Sequence, residues 1–359
     1  MTTLSAAGIK RRRDYGGMFE RGAGIGLVVG LIVWLIINVI KEPAVFATVF
    51  LDGLRMGSLY ALIALGYTMV YGIIQLINFA HGDLFMLGTL FSATFITWMF
   101  GLLGQDVAEI GKPGAAGVAI SLVIVVGALI ASAAFCGGIN VAVERLAYRR
   151  LRQAPKLAPL ITAIGVSFIF QWVGLVWNGS GPQVWTPVLP SGVLEFNGVH
   201  IKLNTLIILG LMLPLLAALT FLVSKTKQGR AMRATAQDQD ASRLMGINVN
   251  RTIAFTFLLG GALAGVAGTI FVQMVGTTSF DLGIRMGLYA FTAAVLGGIG
   301  NLSGAVIGGV LIGLISELNA GLPLGFGQRW GQSVIFVILI LLMVFKPEGL
   351  LGKPTTEKV

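Results

Sequence analysis

The chain has 359 residues, of which 56% are hydrophobic and only 11% charged, with a mean hydropathy of +0.88. A soluble globular protein carries roughly 25% charged residues, so a water-soluble enzyme is excluded, as are disordered and collagenous chains. The net charge of +10 would suggest nucleic acid in a soluble protein, but in a chain this apolar the positions of the charges matter more than their sum.

A spanning helix needs about 20 mostly apolar residues, because hydrocarbon offers no hydrogen-bond partner to an open backbone. Apolar stretches run over 23–40, 45–77, 84–103, 115–143, 158–177, 204–224, 252–275, 286–318 and 331–346. The first follows Lys10-Arg11-Arg12-Arg13, as in a signal peptide, but it is long and no clear A-x-A site follows, so it is read as a retained span. The second would measure about 50 Å as one helix, against a core of about 30 Å. It is expected to tilt, protrude or break, with Gly66 and Gly72 as the break points. The run Gly297-Gly298-Ile299-Gly300-Asn301-Leu302-Ser303-Gly304 divides 286–318 into two segments. The fold expected is all-α, a polytopic transmembrane bundle of about ten spans (between about eight and ten), with some helices discontinuous.

Orientation follows from Lys and Arg in short loops. With the N-terminal basic run in the cytoplasm, all 25 basic residues fall inside except Lys41, Arg55, Lys112, Lys202, Arg285 and Arg329. Trp98, Trp177 and Trp330 then fall at outer interfaces, as an aromatic belt requires. Both termini are expected in the cytoplasm. Asp83, Glu144, Asp238 and Asp240 are assigned to that side, Asp52 and Asp281 to the outer one.

Ionisable residues within spans mark proton or ion pathways, and the sequence places almost none at mid-span. Asp52 and Arg55, and Asp281 and Arg285, pair near outer helix ends, Glu144 and Arg145 close a helix at the cytoplasmic face, and Glu317 is the main exception. Coupling to an ion gradient is therefore disfavoured. The lone Cys136 excludes a disulfide framework, and His81 and His200 lie too far apart in sequence for a histidine metal site. Gly111-Lys112 and Gly352-Lys353 are each followed by proline, so no G-x-x-x-x-G-K-[ST] phosphate loop is present. Any ATP must be hydrolysed by another subunit. With no acid, base and nucleophile grouped in the spans, an enzyme is not expected.

The long cytoplasmic connection, 225–251, contains a helix-compatible run from Arg230 to Met245 stopped by Gly246. It reads either as a solvated basic loop or as a surface helix that docks in a partner's groove. Asp240-Ala241-Ser242-Arg243-Leu244-Met245-Gly246 resembles the E-A-A-x-x-x-G coupling loop of ABC-importer permeases, with Asp for Glu and Ser for the second Ala. The block from Gly57-Ser58-Leu59-Tyr60 to Gly72-Ile73-Ile74, then Ile77-Asn78-Phe79-Ala80-His81-Gly82-Asp83, is similar to the opening of branched-chain amino acid permeases of the LivH type. Glu144-Arg145-Leu146-Ala147-Tyr148-Arg149, Ala290–Gly300 and Gly349–Pro354 fit the same pattern in the same order. The resemblance covers about 46–359. It divides the chain into an extension, 1–44, with a basic tail and an extra span, and a permease domain, 45–359.

What the resemblance implies is one permease of an inner-membrane heterodimer, working with a second homologous permease, two cytoplasmic ATPases and a periplasmic binding protein. Leucine, isoleucine and valine would cross by alternating access. The chain would bind no cofactor, ATP and Mg2+ being used by the ATPases. Asp240, Ala241, Ser242, Leu244 and Gly246 would form the ATPase-coupling site. Candidate pathway or gating residues are Tyr60, Asn78, His81, Asp83, Gly297, Gly298 and Gly300. Asn78 and Asp83 read alternatively as helix caps, Gly53 and Gly57 as close-packing glycines, and the glycines of 297–304 as either packing or pathway elements. Rival readings are an ABC permease for another small solute such as urea, and an ion-coupled carrier. A short echo between Arg55-Met56-Gly57-Ser58-Leu59-Tyr60 and Arg285-Met286-Gly287-Leu288-Tyr289 hints at two related halves.

Overall fold

A computed structural model describes residues 29–30, 32–75, 78–102, 115–152, 154–155, 157–190, 192–196, 198–346 and 348–352. The basic tail, the start of the first apolar stretch (23–28), Lys112, Lys156 and the two chain ends lie outside the described residues.

The helices are α1 (Ile32–Lys41), α2 (Pro43–Ile74), α3 (Ala80–Leu102) and α4 (Ala115–Val143), which runs through a π turn (Glu144–Tyr148) into α5 (Arg149–Leu151). There follow α6 (Leu157–Asn178), α7 (Leu203–Lys225), α8 (Lys227–Gln237), α9 (Gln239–Leu244) and α10 (Val249–Val275). The last are α11 (Leu282–Gly297), α12 (Leu302–Gly321) and α13 (Gly331–Phe345). Eight helices among the described residues are long and apolar enough to cross a membrane, and α1 and α11 are shorter apolar helices. The all-α polytopic class is observed. Among the described residues the only strands are short: β1 (Gln183–Val184) pairs antiparallel with β4 (Thr277–Thr278), and β2 (Val193–Phe196) with β3 (Val199–Lys202).

Helix α2 is the axis of the bundle, and of the three outcomes expected for its length (tilt, protrusion or a break at Gly66 or Gly72) the break does not occur. Its 32 residues run unbroken from Pro43, which needs no N–H partner at a helix start, to Gln75, whose φ of 52° reverses the chain. At ~1.5 Å per residue that is about 48 Å. Gly66 serves a different purpose, because a Cβ there would strike the His81 ring. Thus the glycine marks a close approach instead of a stop.

The packing of α2 on α12 is backbone to backbone. A Cβ on Gly57 would lie 2.7 Å from Val310 Cα, one on Gly53 3.1 Å from Leu314 Cα, and one on Gly313 would overlap the Gly57 backbone. Lipid tails are as apolar as leucine, so helices in a membrane associate through such close dispersion contacts. This confirms the packing role expected for Gly53 and Gly57. Most glycines of this region do the same: Gly297 and Gly304 interlock, and Gly308 lies on the Ala293 carbonyl. A tight turn joins α11 to α12, with Gly298 at φ 103° and Asn301 capping α12 through Gly304 N at 3.1 Å.

Hydroxyls and amides fasten the second seam, in which α10 packs on α3 and α4. Ser92 and Thr269 lie 2.6 Å apart, Ser132 Oγ donates to the Gly265 carbonyl at 2.9 Å, and Asn140 Nδ2 donates to the Phe257 carbonyl at 2.7 Å. Each such bond contributes about 0.6 kcal/mol on average. Outward faces carry Val123, Ile130, Phe168, Trp172 and Val344, all largely exposed, as a lipid-facing surface requires. Trp98, Trp177 and Trp330 are also exposed.

Candidate functional site

Two groups of residues are built for work, one on the surface beyond α7 and one inside the bundle. On the surface, the single helix expected over Arg230 to Met245 is in fact two. Asp238 leaves the helical conformation at φ −156° and its Oδ1 accepts from Asp240 N at 2.8 Å and Ala241 N at 2.9 Å, capping α9. The break comes from a short acid satisfying backbone donors, not from glycine. At the other end Gly246 takes φ +80°, its N–H donates to the Arg243 carbonyl at 3.0 Å, and Ile247 N–H donates to the Ser242 carbonyl at 3.0 Å. This pair of bonds is a Schellman stop, which requires a left-handed residue.

The result is a six-residue helix with a defined outer face. Ser242 is buried, whereas Leu244 is 89% and Met245 82% exposed. Ala241 is exposed beside them, and Asp240 pairs with Arg243 at 2.6 Å. Two large apolar side chains on a charged, water-facing tip are out of place in an isolated surface.

The base beneath this tip is firm. Thr226 caps α8 by accepting from Gly229 N at 3.1 Å, the Arg233 guanidinium donates to the Val223 carbonyl, and a Cβ on Gly229 would overlap Val223. Gln239 Nε2 donates to the Ile73 carbonyl at 3.5 Å, tying α9 to the last turn of α2. Close by, Glu144 is fully buried in the π turn and accepts from the guanidinium groups of Arg149 (3.0 Å) and Arg152. Arg152 also donates to Asn250 Oδ1 of α10 at 2.7 Å. Burial pushes the Arg152 pKa down while Glu144 opposes the shift. The expectation that Glu144 and Arg145 simply close a helix is therefore corrected: Glu144 anchors a junction of α4, α5 and α10.

The sequence assigned Asp83 to the cytoplasmic side, and the structure buries it inside the bundle. Asp83 is 1% exposed, and its Oδ2 accepts from Ser167 Oγ and from Gln171 Nε2 at 3.3 Å. Ser167 is ten residues into α6, about 15 Å along a helix of about 33 Å. Asp83, in the first turn of α3, is thus buried level with the middle of α6. It is not a helix cap either. Nor is Asn78, whose Oδ1 accepts from Tyr148 OH at 2.9 Å, although its backbone carbonyl begins α3 by accepting from His81 N at 3.1 Å.

His81 is 1% exposed, its ring 4.7 Å from that of Tyr67, and neither ring nitrogen has a hydrogen-bond partner among the described residues. It is a core residue, not a turn or interface residue. Tyr60 is buried, with its ring edge-on to Tyr289 at 5.6 Å, so the two echo segments meet face to face. Gly297 and Gly298 lie against other backbone, and Gly300 is open at φ +90°. His81 and Asp83 are brought together with Tyr67, and Asn78 joins them through His81 N; of the 297–300 turn, Ile299 shares a crevice with Tyr67. Sequence reasoning missed Ser167, Gln171 and Tyr148. The signal for the first two was available: they lie four apart, on one face of an otherwise apolar α6.

A cavity of about 80 Å³ adjoins Asp83, lined also by Tyr67, Phe79, Ser167, Gly283 and Phe291 among others.

Residues 49–343 match the family model described as the permease component of branched-chain amino acid transport systems. The high-affinity branched-chain amino acid transport permease BraD of Pseudomonas aeruginosa is 39% identical over 312 residues, covering 86% of this chain and 96% of that one. The corresponding permease LivH of Escherichia coli K12 is 37% identical over 318 residues, with the same coverage. A probable LivH permease of Methanocaldococcus jannaschii is 28% identical over 303 residues, covering 82% of this chain and 89% of its own. No solved structure matches the chain.

Proposed function

Because this chain belongs to the family of branched-chain amino acid transport permeases, we propose that it forms one half of the pathway through which an ATP-driven importer moves leucine, isoleucine and valine into the cytoplasm. The similarity to BraD and LivH over most of the chain carries this reading. It accounts for the multi-pass architecture, and it places the chain in the inner membrane with α8 and α9 on the cytoplasmic side. Residues 45–359 would be the permease domain and 1–44 an added span and tail. A second homologous permease, two ATPases and a binding protein complete the assembly; ATP and Mg2+ belong to the ATPases.

The mechanism follows from how α9 is mounted. The exposed tip of Leu244 and Met245 suits an apolar groove, and Asp240 with Arg243 suits the polar rim around it. The caps at Asp238 and Gly246 fix the helix as a unit. When the ATPases close on ATP, displacement of α9 would pass through Gln239 to the end of α2, and through α8 to α7. The α2 end leads directly to Asn78, His81 and Asp83. Access would then switch by movement of α11 against the packed α2–α12 pair, in which the interlocked glycines hold α2 and α12 as one body.

The test is to purify the tagged chain with whatever assembles on it and to identify the solute on the co-purified binding protein. A branched-chain amino acid with associated ATPase subunits supports the proposal; urea or another solute overturns the substrate assignment, and absence of an ATPase overturns the mechanism.

A further inference from the structure

Asp83 holds its carboxylate in an asymmetric way. Oδ2 takes both available donors, Ser167 and Gln171, while Oδ1 is buried with no hydrogen-bond partner among the described residues. A buried carboxylate oxygen left bare is costly, and a protein keeps one where something else satisfies it.

The space beside it has a matching character. Tyr67, Phe79 and Phe291 wall the cavity, with Tyr67 and Phe79 each 6.4 Å from the Phe291 ring, and Ile284 and Leu288 complete the apolar side. Gly283 lies directly against Asp83 Oδ1, where a Cβ would collide, and a Cβ on Gly287 would come within 3.1 Å of the Tyr67 hydroxyl. Among the described residues, no basic side chain lines the cavity. An anion, three aromatic rings and no competing cation form a receptor for a small ammonium group, which gains both a charge-assisted hydrogen bond and cation–π attraction. A free carboxylate would be repelled.

We propose that the Asp83 cavity is the station that receives the α-ammonium group of the amino acid during its passage, with Asp83 Oδ1 as the acceptor and Tyr67, Phe79 and Phe291 as the surrounding faces. This rests on the amino-acid importer reading. At about 80 Å³ the cavity is well below the roughly 300 Å³ of a ligand site and admits the ammonium end alone. The branched side chain enters when α11 moves from α2, along the crevice between Tyr71, Phe291 and Ala294 that shares Tyr67 with the cavity.

The experiment uses the reconstituted complex with its binding protein and labelled leucine, and measures uptake beside binding-protein-stimulated ATPase activity. Asp83→Asn keeps an oxygen for Ser167 and Gln171 but removes the negative charge. The thermal transition of the solubilised complex separates loss of the charge from loss of a tie between helices. The proposal predicts at least a tenfold loss of uptake in Asp83→Asn with the thermal transition within about 1 °C of the parent, and partial recovery of uptake in Asp83→Glu. Uptake by Asp83→Asn within twofold of the parent overturns it. So does a loss of uptake in Asp83→Asn that comes with a fall of the transition by about 5 °C or more, which marks Asp83 as a helix tie. Failure of the parent complex to take up leucine at all would instead sink the importer reading.

Discussion

Replacing Gly246 by alanine isolates the stop of α9 from everything else. Nothing lies within 4 Å of a Cβ built at this position, so the added methyl meets no neighbour and the whole cost comes from φ +80°. A left-handed conformation costs a non-glycine residue about 1–2 kcal/mol. That strain is relieved by giving up the Schellman bonds of Gly246 and Ile247, which lets the segment carrying Leu244 and Met245 fray. Since about 1.4 kcal/mol is a factor of ten, the ordered tip falls roughly 5- to 30-fold in population, and coupling falls with it if ordered α9 is what docks. The assay is leucine uptake per ATP hydrolysed in proteoliposomes, with the thermal transition of the detergent-solubilised chain as a control for global folding. Asparagine tolerates the left-handed region, so Gly246→Asn is expected to restore most of the loss. If Gly246→Ala couples as well as the parent, or if Asn is no better than Ala, the capped helix is not the docking element.

Leu244→Asp should leave the thermal transition unchanged, because the side chain is 89% exposed, while abolishing co-purification of the ATPase; retained association would refute docking through this tip. Glu144→Ala strands Arg152 without its acid. Breaking a buried pair costs about 3–5 kcal/mol, less here because Arg149 is 38% exposed and can turn to water; a lowering of the melting temperature on the order of 5 °C is expected, and a shift below about 1 °C would show the junction to be dispensable. Gly313→Ala forces a methyl into the Gly57 backbone and should cost about 1–3 kcal/mol by overpacking. By contrast Gly72→Ala, which meets nothing within 4 Å, should leave thermal stability unchanged or raise it by up to about 1 kcal/mol; equal loss in both would mean that the α2–α12 seam is not close-packed.

The spans were legible because lipid permits so few solutions: an apolar run of the right length must be a helix. The helix proposed to dock was legible as a helix stopped at Gly246, although the cap at Asp238 was hidden within a run that suits a helix throughout. Depth was not legible. The polar stretch Asn78 to Asp83 after a long apolar run resembles a surface turn in one dimension, and only the packing of α3 against α6 shows that Asp83 is buried level with the middle of α6. Gly66 misled for a related reason, since glycine signals a break and a close approach alike, and only the His81 ring beside it decides. The pairing of Glu144 was not legible because its partner Arg149 lies five residues on, a spacing that faces its origin in a π turn but not in an α-helix.

The central claim is that ATP hydrolysed by partner subunits drives a branched-chain amino acid through this chain. Proteoliposomes holding the chain, its partner permease and the ATPases, supplied with the binding protein and labelled leucine, test it most directly. The account predicts accumulation that requires ATP inside, persists when proton and sodium gradients are collapsed, and is lost in Asp83→Asn. Accumulation that follows an ion gradient and ignores ATP would contradict it.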